Sequence, residues 1–455
     1  MPTAYTILFL LLILVAAATW IIPAGSYDYV DGVPVAGTYH AVAQNPQGVG
    51  DVLKAAFSGF YDAVDVCIFI LMVGGFLGVV MKTGAVDAGV SNIIRLLGGR
   101  EKWLIPILMI LFGLGGTTYG MWEETMAFYP LLIPVFLAAG YDAVVGISVI
   151  LLGAGAGVIA STVNPFATGI AAGFAGVSLG EGILLRLLEW VAFEAAAIWF
   201  VMAYAARVKR NPSKSVVGVG AGRIQVTMDQ QVPFTPKRKV IMAIFTLTFL
   251  IMVYAVVPFD EMGLSLPTLG WWFPELSALF LVGGVVIGLI DRMSEEELTE
   301  TYVAGCADLL GVAFIIGISR GITVLMRDGA ITDTILHWGE AALSGAGAVS
   351  FTLLVFALYL PLTILIPSSS GLATLSIPIV APLGKFAGVG GDLVVTAFQS
   401  ASGLVNILTP TAAVVMGALA LGHVPYDRWV KYVWKLMAVF LLLALAFLAA
   451  GVLLG

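Results

Sequence analysis

The chain has 455 residues, of which 60% are hydrophobic and only 11% charged, with a mean hydropathy of +1.03 and a formal net charge of −7. Soluble domains carry about 25% charged residues, so the composition excludes a water-soluble globular protein and points to an all-α polytopic membrane protein. The net charge decides little, because in a membrane protein the distribution of Lys and Arg matters more than their sum.

A helical crossing needs about 20 apolar residues. The first run, Ala4 to Ile22, has no basic flank and is too long for the apolar core of a signal peptide, so a retained span is expected. A polar loop with Asp28 and Asp31 follows, and then an amphipathic arm over 51–63 leading into a span over 64–82. Residues 103–139 are too long for one crossing and are interrupted by Gly-Gly-Thr-Thr, which predicts a re-entrant hairpin with its tip near 115–122. The run 142–178 is broken at Ser161–Pro165, and a span over 183–206 precedes a basic loop that includes Arg207, Lys209, Arg210 and Arg223.

The second half opens with a span over 239–258. An acidic loop with Asp260 and Glu261, a span over 273–290 beside the interfacial pair Trp271 and Trp272, and an acidic arm leading to a span over 309–326 come next. A second hairpin is expected over 347–388 with its tip at 367–371. The run 392–422 is broken at Asn406–Pro410, and the last span covers about 430–453. Cys67 and Cys306 both read as packing residues.

The two halves match at an offset of 245–250 residues: VVMKTGAV (79–86) pairs with TVLMRDGAI (323–331), the proline pairs Pro130/Pro134 and Pro378/Pro382 correspond, and Pro165 matches Pro410. One additional span lies between them, so the second copy should be upside down. The expected fold is therefore two inverted-topology repeats, each with a re-entrant hairpin and a broken transmembrane helix. Three units are expected: residues 1–206, a basic loop and connecting span over 207–258, and residues 259–455. With a cytoplasmic N-terminus, 16 of the 21 Lys and Arg, Arg95 among them, fall on cytoplasmic segments; Lys54, Arg186, Arg320, Arg327 and Lys385 are the exceptions. That is the orientation the positive-inside rule selects.

Each break frees backbone N–H and C=O groups at membrane depth, where they must be buried in protein or line a wet cavity. Paired breaks at corresponding positions of two halves are a pointer to a transporter's binding site. Four polar clusters should converge there. They are Thr117 and Thr118 with Glu123 and Glu124; Ser161, Thr162 and Asn164; Ser368, Ser369, Ser370 and Thr374; and Asn406, Thr409 and Thr411. Hydroxyls and amides donate and accept, so they can clasp a carboxylate or an ion, and the helix N-termini past each tip suit an anion. Carbonyls near Asn164, Asn406 and Thr409 are candidate Na+ ligands. Any one Ser or Thr alone is more often bonded back to its own helix.

Glu123 and Glu124 are carboxylates at membrane depth and so are functional candidates in their own right. Adjacent residues sit about 100° apart on a helix, so they cannot both face one site squarely. One could bind a cationic substrate group, Na+ or a proton while the other pairs structurally. Arg320 could neutralise an anionic substrate or pair with Asp308 or Glu123. The charge of Glu123 and Glu124 has no counterpart in the second half, which favours a substrate with an amine at one end or a proton-coupling site.

Three stretches, WIIPAGSY (20–27), IIGISRGITVLMRDGAITDTILHWGE (315–340) and IPSSSGLATLSIPIVAPL (366–383), closely resemble the YfcC-like transporters of the C4-dicarboxylate anaerobic carrier family, within the wider ion transporter superfamily. The resemblance implies a homodimer in the cytoplasmic (inner) membrane of a prokaryote, with a scaffold part and a mobile transport part. It also implies an elevator-like movement, with a small dicarboxylate or amino acid held between hairpin tips and broken helices. Related superfamily members carry a Ser-Asn-Thr signature at the tips, where this chain has Gly-Gly-Thr-Thr and Ser-Ser-Ser-Gly. A secondary transporter, Na+- or H+-coupled or an exchanger, is the expected function, with membrane lipid around it, no cofactor and no nucleic-acid partner. A membrane-embedded enzyme is the weaker reading, because His40, His337 and His423 are scattered and no serine has an evident base. A channel ranks below it.

Overall fold

The computed structural model of the chain describes residues 4–30, 33–86, 88, 89, 92, 100–118, 120–178, 180–218, 233–256, 259, 265–271 and 273–454. Asp31, Arg95, Arg223, Asp260, Glu261 and Trp272 lie outside the described residues. Among those described, seventeen α-helices account for most of the chain. Five of them, Val64–Lys82, Phe273–Asp291, Glu295–Asp328, Ala348–Leu365 and Tyr426–Leu453, are long and apolar enough to cross a membrane. The chain is a membrane protein.

In chain order, α1 is Ala4–Ala18, α2 Val49–Asp62 and α3 Val64–Lys82. The first helix stops short of the expected Ile22 because the Thr19 hydroxyl bonds back to the Ala16 carbonyl while accepting from the Gln47 amide, and Pro23 follows. The expected polar loop contains two small antiparallel strand pairs, Gly25–Ser26 with His40–Ala41 and Tyr29–Val30 with Val33–Pro34. It is pinned to helix Thr332–Leu343, which no apolar run announces: Tyr27 donates to Asp333 through its backbone and to Glu340 through its phenol, and Tyr39 bonds Thr334.

The first interrupted segment comprises α4 (Leu104–Thr118), a 3-10 stretch Glu123–Phe128 and α5 (Tyr129–Ala138). The first broken helix is α6 (Ala143–Ile159), a π-helical turn Pro165–Gly169 and α7 (Ile170–Ala175), followed by α8 (Ile183–Arg210). In the second half, α9 is Pro236–Val256, α10 Phe273–Asp291 and α11 Glu295–Asp328. The acidic arm and the span expected over 309–326 are thus one continuous helix of 34 residues, capped by Ser294, whereas Ala63 interrupts the matching α2–α3 pair. Then come α12 (Thr332–Leu343), α13 (Ala348–Leu365), α14 (Ser369–Phe386), the broken pair α15 (Gly391–Asn406) and α16 (Ala413–Leu421), and α17 (Tyr426–Leu454).

Small residues set the packing. Gly59 lies against the Gly317–Gly321 backbone, the Cys67 thiol donates to the Ala313 carbonyl, and Gly74 meets Gly305, so α2–α3 and α11 run antiparallel. The contacts are reciprocal. Gly321 packs on Ala55 and Ala56, and Gly75 packs on Tyr302. The broken helices do the same: Gly155 touches Ile407, and their counterparts 248 residues on and back, Gly403 and Ile159, touch each other. Paired i–j and j–i contacts are what a two-fold relation between two copies generates. In both halves, close approach of backbones depends on glycine because lipid supplies no hydrophobic drive between helices.

At one end of the bundle, charges tie helix termini together. Lys82 at the end of α3 faces Glu297 at the start of α11 at 3.7 Å, and Lys237 at the start of α9 bonds Asp291 at the end of α10 at 2.6 Å.

A Gly74→Val substitution should lower stability by roughly 1–3 kcal/mol, because the added carbons meet the Gly305 carbonyl, which is backbone and cannot swing aside. Unfolding followed by labelling of the buried Cys67 thiol checks this; an unchanged midpoint would show that the α3–α11 contact tolerates a side chain.

Candidate functional site

The break at 160–165 is closed by the first tip. Thr117 Oγ1 donates to the Ala160 carbonyl at 2.8 Å and accepts from Thr162 N at 3.1 Å, while Thr162 Oγ1 donates to the Thr117 carbonyl at 2.9 Å. Gly120, at φ +79, lies directly against the Asn164 carboxamide, leaving no room for a Cβ. Ser161 is fully buried, and its hydroxyl has no protein hydrogen-bond partner among the described residues. Thr118, by contrast, bonds back to Leu114 in its own helix.

At the second break, Thr409 and Thr411 hydroxyls lie 2.8 Å apart, and Ser319 of α11 donates to the Thr411 carbonyl at 2.6 Å. In the second tip, Ser368 caps α14 by accepting from Gly371 N at 3.2 Å and lies 3.4 Å from the Ser370 hydroxyl. Thr374 bonds back to the Ser370 carbonyl. Ser369 is the first residue of α14 and half-buried.

Between these parts lies a small pocket lined by Trp122 and Glu123 from the first tip, Ser319 and Arg320 from α11, Pro367 from the second tip, and Asn406, Thr411 and Ala412 from the second break. Of the residues singled out from sequence, the pocket therefore gathers Glu123, Arg320, Asn406 and Thr411. Thr117, Thr118, Ser161, Thr162, Asn164, Ser368, Ser369, Ser370, Thr374 and Thr409 do not line it in this conformation. Glu124 is buried and turned inward, its carboxylate accepting from Trp122 N at 3.1 Å, which fastens the turn of the tip. The pocket thus holds one acid and one base, 197 residues apart in sequence.

One stripe of α11 runs through three cavities in series. Asp308, Val312 and Ile315 line a crevice of about 1000 Å³ with Tyr5, Met416 and Tyr426. Ile316, Ser319 and Arg320 line the central pocket, and Thr323 and Arg327 line a cavity of about 430 Å³ with Tyr29, Asp333 and Leu375. Spacings of three and four keep these residues on one helical face.

Sequence reasoning missed Trp122, Ser319 and Thr323, which nothing local distinguishes from packing residues. It also missed Glu189 and Glu194, inside the apolar run of α8, and Arg186, which is fully buried and donates to the Glu181 carbonyl at 2.9 Å. The rule applied to Glu123, that a carboxylate at membrane depth is functional by default, would have found both acids.

Paired helix breaks with a charged pocket between them are an arrangement that suits a membrane transporter. The sequence comparisons agree. A family model described as C4-dicarboxylate anaerobic carrier matches residues 1–453, and the chain belongs to that family. An uncharacterized protein of Haemophilus influenzae is 35% identical over 494 residues, covering 97% of this chain and 95% of the relative. A protein of Escherichia coli named "Putative basic amino acid antiporter YfcC" is 31% identical over 479 residues, covering 95% and 92%. Among solved structures, the Alcanivorax borkumensis YdaH transporter aligns at a TM-score of 0.46 with 14% identity, covering 99% of this chain and 98% of that one. The Neisseria gonorrhoeae MtrF efflux pump aligns at 0.46 with 17% identity, covering 99% and 95%. The family is one of carriers, not enzymes.

Replacing Thr117 by Val removes the hydroxyl that donates to the Ala160 carbonyl and accepts from Thr162 N, both buried, and should cost about 1–3 kcal/mol. The same change at Thr118 should cost little, because its hydroxyl serves only its own helix. Equal melting midpoints for the two variants would contradict the assigned role of Thr117.

Proposed function

We propose that this chain is a secondary active transporter of a small carboxylate-bearing metabolite, with an amino acid favoured over a plain dicarboxylate. The observation that carries this reading is the shared pocket of Glu123 and Arg320 between tip and break. A guanidinium pairs a carboxylate through two parallel donors. A carboxylate opposite it suits an amine. A dicarboxylate would meet Arg320 with one end and Glu123 with like charge at the other. The name of the Escherichia coli relative points the same way, while the family description points to dicarboxylates.

In this reading the tips are re-entrant hairpins and the two halves are inverted repeats. The reciprocal contacts and the antiparallel packing of α2–α3 on its counterpart α11 support that: two matched segments lying antiparallel point opposite ways across a bilayer. The crevice of about 1000 Å³ is the access route on one side and the cavity of about 430 Å³ the approach on the other. Alternating access is elevator-like, in a homodimer of the cytoplasmic membrane with a cytoplasmic N-terminus. Drive comes from a Na+ or H+ gradient or from exchange. For Na+, the oxygens near Asn164, Asn406 and Thr409 are the donors; for H+, a carboxylate is needed.

Thermal stability of the purified protein against arginine, alanine, succinate and acetate, with and without Na+, tests this. A ligand at 100 times its Kd should add about 2.7 kcal/mol to apparent stability. Arginine or alanine should stabilise the wild type more than succinate. Arg320→Gln should abolish every such gain and Glu123→Gln should abolish preferentially that of the amino acids. Undiminished stabilisation of both variants would sink the pocket assignment.

A further inference from the structure

We propose that Glu194 of α8 is the proton-binding group of this transporter, outside the lining of the substrate pocket, with Glu189 as a second buried acid on the same helix. The proposal rests on the transport reading above. Glu194 is buried, and neither of its carboxyl oxygens has a hydrogen-bond partner among the described residues. The Trp190 indole N–H, one turn earlier, also lacks one. Glu194 packs against Gly113 of α4, where a Cβ would collide with its carboxylate; Gly113 stands one turn before Thr117, which closes the first break. Glu189 is fully buried too. One oxygen accepts from Ser400 of α15 at 2.8 Å, and the other has no partner. Next to Ser400, Gln399 donates to the Val158 carbonyl at 2.7 Å, just before the break at Ser161. Glu194 therefore meets the helix that leads to the first tip, and Glu189 meets the second broken helix.

Both positions are deep. Counting from Ile183, Glu189 is about 9 Å and Glu194 about 16 Å along the helix axis. An ionised carboxylate there without partners is costly enough that the group takes up a proton instead. The surroundings divide the roles. Glu189 has Arg186 of its own helix near it, with Asp392 at the start of α15 facing Arg186. Glu194 has burial alone around it, with neither carboxyl oxygen hydrogen-bonded among the described residues. Asp142, Tyr204 and Tyr432 form a separate cluster ten residues further along α8. Glu194 is thus the group assigned to the proton, and Glu189, held by Ser400 and Arg186, is a second buried acid on another face of α8, because a spacing of five turns two residues about 140° apart. A proton from water binds a carboxylate oxygen of Glu194, neutralising one charge, and returns to water when rearrangement of α4 exposes it.

The test uses the full-length protein. Infrared spectra of the wild type should show the carbonyl band of a protonated carboxylic acid that disappears as pH rises; Glu194→Gln should lack it. In proteoliposomes, uptake of labelled arginine and of labelled succinate driven by an imposed pH gradient should fall at least tenfold in Glu194→Gln. Counterflow of the same solute, which needs no net proton movement, should stay within about twofold. Glu189→Gln should shift the pH at which the band disappears. If Glu194→Gln does not fold, Glu194→Leu takes its place. The idea is overturned if the band survives in Glu194→Gln, if it does not titrate in the wild type, or if the variant keeps pH-driven uptake. A wild type that moves neither solute would defeat the transport reading instead, and the band would still decide the proton site.

Discussion

A break in a helix inside an apolar bundle strands backbone N–H and C=O groups, and everything else in this structure accommodates that cost. Each group left without a partner in hydrocarbon costs several kcal/mol. The first break is rescued from outside its own helix: Thr117 of the preceding tip supplies a hydroxyl and a carbonyl to Ala160 and Thr162. The second break is held by Ser319 of α11 and by its own threonines. Because the partner groups come from other elements, tip, break and α11 are bound to one another. A pocket framed by all three follows from that requirement.

The second organising feature is reciprocity. Gly155 with Ile407 and Gly403 with Ile159 are one contact made twice, and Gly59, Gly75, Gly305 and Gly321 serve the α2–α3 contact with α11 in the same way. Glycine is needed because backbone or a large side chain lies where a Cβ would be. The departures from reciprocity are in charge. Glu123 and Glu124 stand only in the first tip, Arg320 only in the second half, and Glu189 with Glu194 only in α8.

Glu123 and Glu124 illustrate how neighbouring residues of one type part ways. Adjacency alone requires that they point in different directions. The tip turn decides which does what: Glu124 closes the turn through the Trp122 amide, which leaves Glu123 against the pocket with Arg320. The polar residues of the second tip are placed differently from the first. Ser368 caps its helix and Thr374 bonds backwards, so neither contributes to the pocket in this conformation.

The order of the principal apolar helices and both breaks were legible in the residues themselves, because apolar run length, proline and small polar interruptions act locally. Glu123, Arg320, Asn406 and Thr411 could be nominated from charge and hydroxyls at membrane depth. The sequence could not reveal that Thr117 serves the break and Thr118 its own helix, nor that Trp122 and Ser319 line the pocket. Nor could it reveal the continuity of α11 or the helix Thr332–Leu343 under the small strands. Those outcomes depend on which distant segment arrives to satisfy a donor or fill a face, and only the packed chain sets that.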